Sequence, residues 1–428
     1  MDSAWKEPLA EAERLDALDP LRGFRDEFLF PVSGGQSVVY LAGNSLGLQP
    51  RQARSYVEHE LEDWARLGVD GHLEARNPWL PYHELLTGQV ARLVGARPEE
   101  VVVMNTLTVN LHLMLVSFFR PSGDRFKILM EAGAFPSDRY AVASQLRLHG
   151  LRSEDALVEV APRPGESAIR DGDLLEAIER HGPSLALVLI GSVNYLTGQA
   201  FDLPAIASAA RRQGAKVGFD LAHGAGNLLL SLHDTGPDFA VWCSYKYLNG
   251  GPGSLGGCFV HERHANTPDI PRFEGWWGHD KESRFQMVPD FRPLAGAEGW
   301  QLSNPPILQL AALRASLELF DRATMQELRR KSEKLTGYLE GLLAHLPEGF
   351  CRILTPGEPQ RRGAQLSLRL LGRLRGDGRD LTRRLREAGV VCDFREPDVI
   401  RVAPAPLYCG FQDVALFART LDGHARAS

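Results

Sequence analysis

The chain has 428 residues, 44% hydrophobic and 24% charged, with a formal net charge of −6 at pH 7. That length exceeds one small core and predicts a soluble protein of two domains or one large one. The mild acidity gives no reason to expect nucleic acid as a partner, and no apolar run approaches a membrane span. The cysteines Cys243, Cys258, Cys351, Cys392 and Cys409 follow neither disulfide-framework nor zinc spacing. The opening residues Met1 to Glu7 lack the basic start and apolar stretch of a secretory leader, so a cytoplasmic setting is expected.

Taken in order, residues 6–28 are charged, carry leucines at helical intervals, and read as an outer helical arm. Val38 to Leu41 reads as a short strand running into a glycine-bearing turn at 42–47. A helix is predicted over 51–67, an irregular loop over Gly68 to His72, and a helix over 82–94. Strand 101–104 leads into Asn105-Thr106-Leu107-Thr108, which opens a helix reaching Phe119. Such residues cap a helix well, and the free N–H groups at a helix start also suit a phosphate. Strands at 126–130, 156–160, 185–190 and 215–219 then alternate with helices at 137–148, 172–181 and 203–213. This β-α-β-α alternation predicts a mainly parallel sheet with helices on both faces and chemistry at the carboxyl ends of the strands.

The pivotal stretch is Phe239 to Gly251. Its apolar start reads as a buried strand, and it ends at Ser244-Tyr245-Lys246 and a glycine-rich turn. Burying an ammonium without a partner is costly, but a lysine held as a Schiff base to an aldehyde cofactor escapes that cost. Asp220, at the end of an earlier apolar run, stands 26 residues before Lys246 and is followed by His223. A carboxylate so placed can pair with a pyridinium nitrogen, so the pair in this order points to pyridoxal 5′-phosphate (PLP). The run Gly251 to Gly256 matches a dinucleotide-binding pattern but opens no amphipathic helix, and a strand follows at 257–260.

Further on, Ser303-Asn304-Pro305-Pro306 predicts a helix with Asn304 as its cap, and 307–345 reads as two helices broken near 322–324. Strands at 350–354, 364–370, 390–394 and 399–402, with helices at 379–388 and 412–424, predict a small α+β unit. Arg361-Arg362 reads as a solvated turn. The predicted division is a large domain over 36–306 and a small domain made of 1–35 with 307–428.

Several runs together resemble the kynureninase family: Tyr40 to Pro50, Asn105 to Leu113, Phe135 to Asp138, Phe219 to His223, Ser244 to Gly251, Gly275 to His279, Ser303 to Ile307 and Ile400 to Tyr408. They span nearly the whole chain. A cysteine desulfurase would carry histidine just before its Schiff-base lysine, where this chain has Tyr245. One departure is Gly191, where many family members have serine. The resemblance implies the aspartate aminotransferase-like fold (PLP fold type I) and hydrolytic Cβ–Cγ cleavage of kynurenine or 3-hydroxykynurenine. No metal is implied. Lys246, Tyr245 and Asp220 would be catalytic, with Lys246 holding PLP and Tyr245 able to deliver a proton to the β-carbon. Leu107, Thr108, Phe135, Asp138 and His223 would also hold PLP. Trp276 and Asn304 would reach the phosphate of the other subunit in a homodimer. Ser45, His72, Ser303, Asn304 and Arg401 would bind substrate, with Arg401 on the α-carboxylate and His72, Ser303 and Asn304 favouring the 3-hydroxy ring. The alternatives from the residues are another fold type I enzyme, an aminotransferase or desulfurase, or a PLP-binding protein without turnover.

Overall fold

The computed structural model describes residues 3–267, 269–372 and 376–427. Its central sheet has seven strands: β1 Val101–Met104, β2 Lys127–Glu131, β3 Leu157–Val160, β4 Leu185–Gly191, β5 Lys216–Asp220, β6 Phe239–Cys243 and β7 Gly256–Val260. Their spatial order is β1-β7-β6-β5-β4-β2-β3. Strands β3, β2, β4, β5 and β6 pair in parallel, and β7 runs antiparallel to both β6 and β1.

Successive strand residues point to opposite faces, and here both faces are buried. Val101, Val103, Val217, Phe219, Ala240 and Trp242 enter one core, with Leu86, Ile178, Ile206 and Leu317 from the helices Glu84–Val94, Asp171–His181, Leu203–Arg212 and Ile307–Ala323. Val102, Met104, Ile128, Met130, Phe239 and Val241 enter the other, with Leu111, Phe118 and Val142 from the helices Leu107–Phe118 and Pro136–Leu148. The near-continuous apolar runs of the strands follow from this double coverage.

A second sheet contains β8 Cys351–Ile353, β9 Leu366–Leu370, β10 Asp393–Arg395 and β11 Val399–Val402, all antiparallel in the order β8-β9-β11-β10. The N-terminal helix Lys6–Ala17 packs on the last helix, Phe411–Ala427. Asp16 accepts from Phe411 N–H at 2.6 Å and Gln412 N–H at 3.0 Å, satisfying free donors at the start of that helix. Trp5 donates to Asp422 at 2.9 Å from its other end.

Five sequence expectations change. The arm is helical only over Lys6–Ala17 and continues as a 3₁₀ helix at Arg22–Glu27, because Pro20 disfavours helical backbone just before it. Gly68 to His72 is not irregular: a 3₁₀ turn at Gly68–Asp70 runs into a short helix at Gly71–Glu74. Asn304 does not cap the next helix. Two successive prolines keep the residues before them extended, so the helix starts at Ile307 with Pro306 at the cap position. The strand at 390–394 is two pieces: Val390–Val391 pairs with Val39–Tyr40, and Asp393–Arg395 joins the second sheet. Arg362 is not solvated but 2% exposed, bonded to Glu340 at 2.8 Å and the Pro356 carbonyl at 3.3 Å.

Candidate active site

The carboxyl ends of β2, β4, β5 and β6 converge on one cavity, with the start of the helix Leu107–Phe118 closing another side. Lys246 and Tyr245 reach it from the turn after β6, and Asp220 ends β5. Leu107, Thr108, Phe135, Asp138 and His223 also line it, so eight sequence-predicted residues meet in one place.

Lys246 Nζ lies 3.1 Å from His223 Nε2. Burial, then the charge of Lys246, pushes the His223 pKa well below its ordinary value. Neutral His223 can therefore accept a hydrogen bond from Lys246 at Nε2, which assigns its own hydrogen to Nδ1. That Nδ1 is buried and has no partner. Asp220 accepts from the Ala222 N–H at 2.6 Å, which pins the carboxylate at the strand end. Burial and then the charge of Asp220 hold the Asp138 carboxyl well above the usual range, and one of its buried oxygens has no partner.

Thr106, the cap residue of the helix Leu107–Phe118, makes no side-chain capping bond. The first-turn N–H groups of a helix have no partner within it, so an anion is favoured there. Thr108 Oγ1 shares a 2.8 Å hydrogen bond with Ser137 Oγ beside that turn. Phe135 is 46% exposed, meets Tyr195 edge-on at 5.3 Å, and has Lys246 Nζ over its ring at 5.8 Å. Burial raises the Tyr245 hydroxyl pKa, so it enters the site as a proton donor. A lysine, a pinned carboxylate, a partly exposed aromatic ring, an anion-favouring helix start and unpartnered polar atoms fit PLP.

Arg401, on β11, is 1% exposed and does not line this cavity. It donates to the Tyr195 carbonyl at 2.7 Å and pairs with Asp393, which also holds Arg395 at 3.1 Å. Asp393, Arg395, Arg386 and Arg383 line a groove of about 700 Å³ that shares Phe135 and Tyr195 with the Lys246 cavity. Ser45, His72, Trp276, Ser303 and Asn304 line neither. Trp276 borders another hollow with His279, Arg284 and Phe291, and donates to the Arg284 carbonyl at 3.1 Å. His72 packs edge-on against Trp79 at 5.5 Å.

Sequence reasoning missed Glu131, Ser137, Tyr195 and Asp393. Glu131 had a signal, an acid ending an apolar run as Asp220 does. Tyr195 and Asp393 had none, since they lie on loops and strand edges that only folding brings near Arg401.

The strand order, antiparallel β7 and the lysine after β6 define the fold of PLP-dependent fold type I enzymes. A C-DES mutant with glycine covalently linked to its PLP cofactor superposes with a TM-score of 0.77 at 20% identity, covering 93% of this chain and 99% of that one. The cysteine desulfurase CsdA of Escherichia coli gives 0.76 at 17% identity, covering 95% and 98%.

The chain belongs to the kynureninase family. It is 69% identical over 416 residues to a kynureninase of Myxococcus xanthus, covering 97% of each chain. It is 57% identical to a kynureninase of Koribacter versatilis, covering 95% of this chain and 96% of that one. The kynureninase C-terminal domain family matches residues 328–421.

Proposed function

We propose that the protein is a kynureninase, cleaving the Cβ–Cγ bond of L-kynurenine or 3-hydroxy-L-kynurenine with water to give anthranilate or 3-hydroxyanthranilate and L-alanine. The observation that carries this is the Lys246–His223 contact beside Asp220, in a chain so similar to kynureninases. When bound, PLP supplies the electron sink that makes the α-proton and the Cβ–Cγ bond labile.

This chain's residues supply the rest. Asp220 would hold the cofactor at its ring nitrogen, Phe135 at its ring, and Leu107 and Thr108 at its phosphate. His223 stays neutral because of its burial and accepts from Lys246, which keeps the amine oriented. Lys246 is the base that holds and returns the substrate's α-proton. Tyr245, protonated at neutral pH, is the donor to the β-carbon. Arg401, held by Asp393 and the Tyr195 carbonyl, would offer a planar fork to the α-carboxylate.

The reading includes a homodimer. Trp276 is 41% exposed beside the exposed Phe285 and Met287, an apolar patch of the kind that a second copy covers. Trp276, Asn304, Ser303 and His72 would then complete the partner's site. A cytoplasmic setting fits that reading, and no helix among the described residues is long and apolar enough to cross a membrane.

The test is incubation with L-kynurenine and PLP, followed by detection of fluorescent anthranilate and of alanine in equal amounts. Alanine without anthranilate, or sulfide released from cysteine instead, would refute the proposal.

A further inference from the structure

Glu131 ends β2 on the wall of the Lys246 cavity, and its side chain is 3% exposed. Both its oxygens accept from the Gly191 N–H at 3.3 Å. Gly191 ends β4, which lies between β2 and β5, and pairs in register with Asp220. A Cβ at residue 191 would lie 2.9 Å from Glu131 Oε1. The Glu131 carboxyl therefore fills the space that a side chain at 191 would enter. The other charged or titratable groups around the cavity are Asp138 on the helix Pro136–Leu148, Tyr195 after β4, Asp220 on β5, His223 after it, and Tyr245 and Lys246 after β6.

We propose that Glu131 is a cofactor-facing acid seated against the bare backbone of Gly191, and that its ionisation beside Asp220 sets the pH at which the bound cofactor gives up its proton. The proposal rests on the reading of this cavity as a PLP site. Burial is the main cause that raises the Glu131 pKa, to about 8; the Gly191 N–H opposes it and the charge of Asp220 adds to it. Below that pH Glu131 is neutral. Above it, Glu131 adds a negative charge to the cavity, and a negative charge favours the protonated form of a cationic neighbour. Glu131 thus resists loss of the cofactor's proton in alkaline solution.

The experiment is a pH titration of the visible absorption of the holoenzyme, reconstituted with PLP and without substrate. Compared with the parent, E131Q should have the same spectrum at pH 6.5, because the amide mimics the neutral acid. On raising the pH, E131Q should lose its protonated band roughly one pH unit earlier. That is the size expected of one missing charge several ångströms away at an effective dielectric of about 20. G191S offers a second reading, because its side chain must displace the carboxyl, and it should move the same midpoint. Unchanged midpoints in either folded variant, checked by near-UV circular dichroism, would overturn the proposal. If PLP gives the parent no visible band at all, the cofactor reading falls and this inference falls with it.

Discussion

A lysine carried into a cavity at a strand end is tolerated only with a partner or a covalent use, and Lys246 has the neutral His223 as its partner. K246A should therefore hold PLP weakly and without a covalent link. Mass spectrometry after borohydride should place the adduct on residue 246 in the parent and find none in the variant, with cleavage reduced roughly 10³-fold or more. An adduct on another lysine would refute the assignment. Arg401 is held between Asp393 and the Tyr195 carbonyl, which fixes the plane of its fork. Lysine offers a point charge in place of that fork, so R401K should raise KM about tenfold or more and change kcat less. The kynurenine ring calls for another test, because a site built to bond a hydroxyl rejects the analogue lacking it. The parent should favour 3-hydroxykynurenine in kcat/KM, and H72F should lose that preference. A parent that favours plain kynurenine would refute the role of His72 and leave the kynureninase proposal standing.

At the scale of elements, the site depends on strands held close together. Trp242 on β6 lies directly opposite Gly257 on β7, and a Cβ at 257 would sit 2.2 Å from the indole. The indole is 1% exposed and cannot swing into solvent. G257A should therefore destabilise the protein by about 1–3 kcal/mol, read as a lower urea midpoint. It should also loosen PLP, since β6 leads straight into Tyr245 and Lys246. Most of the sheet was legible because doubly buried strands are written as unbroken apolar runs, as in Leu185 to Ile190. The strand at 390–394 was misread for the same reason: an apolar run does not say that its two halves pair with different partners. Asn304 has a capping side chain, but the two prolines after it keep the backbone extended and move the helix start to Ile307.

At the scale of the whole molecule, stability should carry the signature of Glu131. Its pKa is about 8 in the folded protein against an ordinary value of 4.5. Between those values the unfolded chain binds fewer protons than the folded one, so stability falls as pH rises through that window. E131Q removes this contribution, so its urea midpoint should vary less than the parent's between pH 5 and 8. An identical pH dependence would refute the raised pKa. Assembly gives a separate test. If Trp276 and Asn304 serve the neighbouring site, mixed K246A and N304A subunits should regain part of the activity that each lacks, because one of the two sites is then intact. Full activity in a monomer at all dilutions would refute shared sites.

The sequence alone determined the succession of most strands and helices along the chain and the acid–lysine pair, because apolar runs are local properties of the chain. It also carried the family resemblance, which rests on runs spread from Tyr40 to Tyr408. Only the tertiary structure decided that Glu131 lies against the bare backbone of Gly191 and that Asp393 holds Arg401. It also decided that the N-terminal helix caps the last one through Asp16. These contacts join residues from eight to nearly four hundred positions apart, and their energies depend on burial and distance, which exist only once the chain has folded.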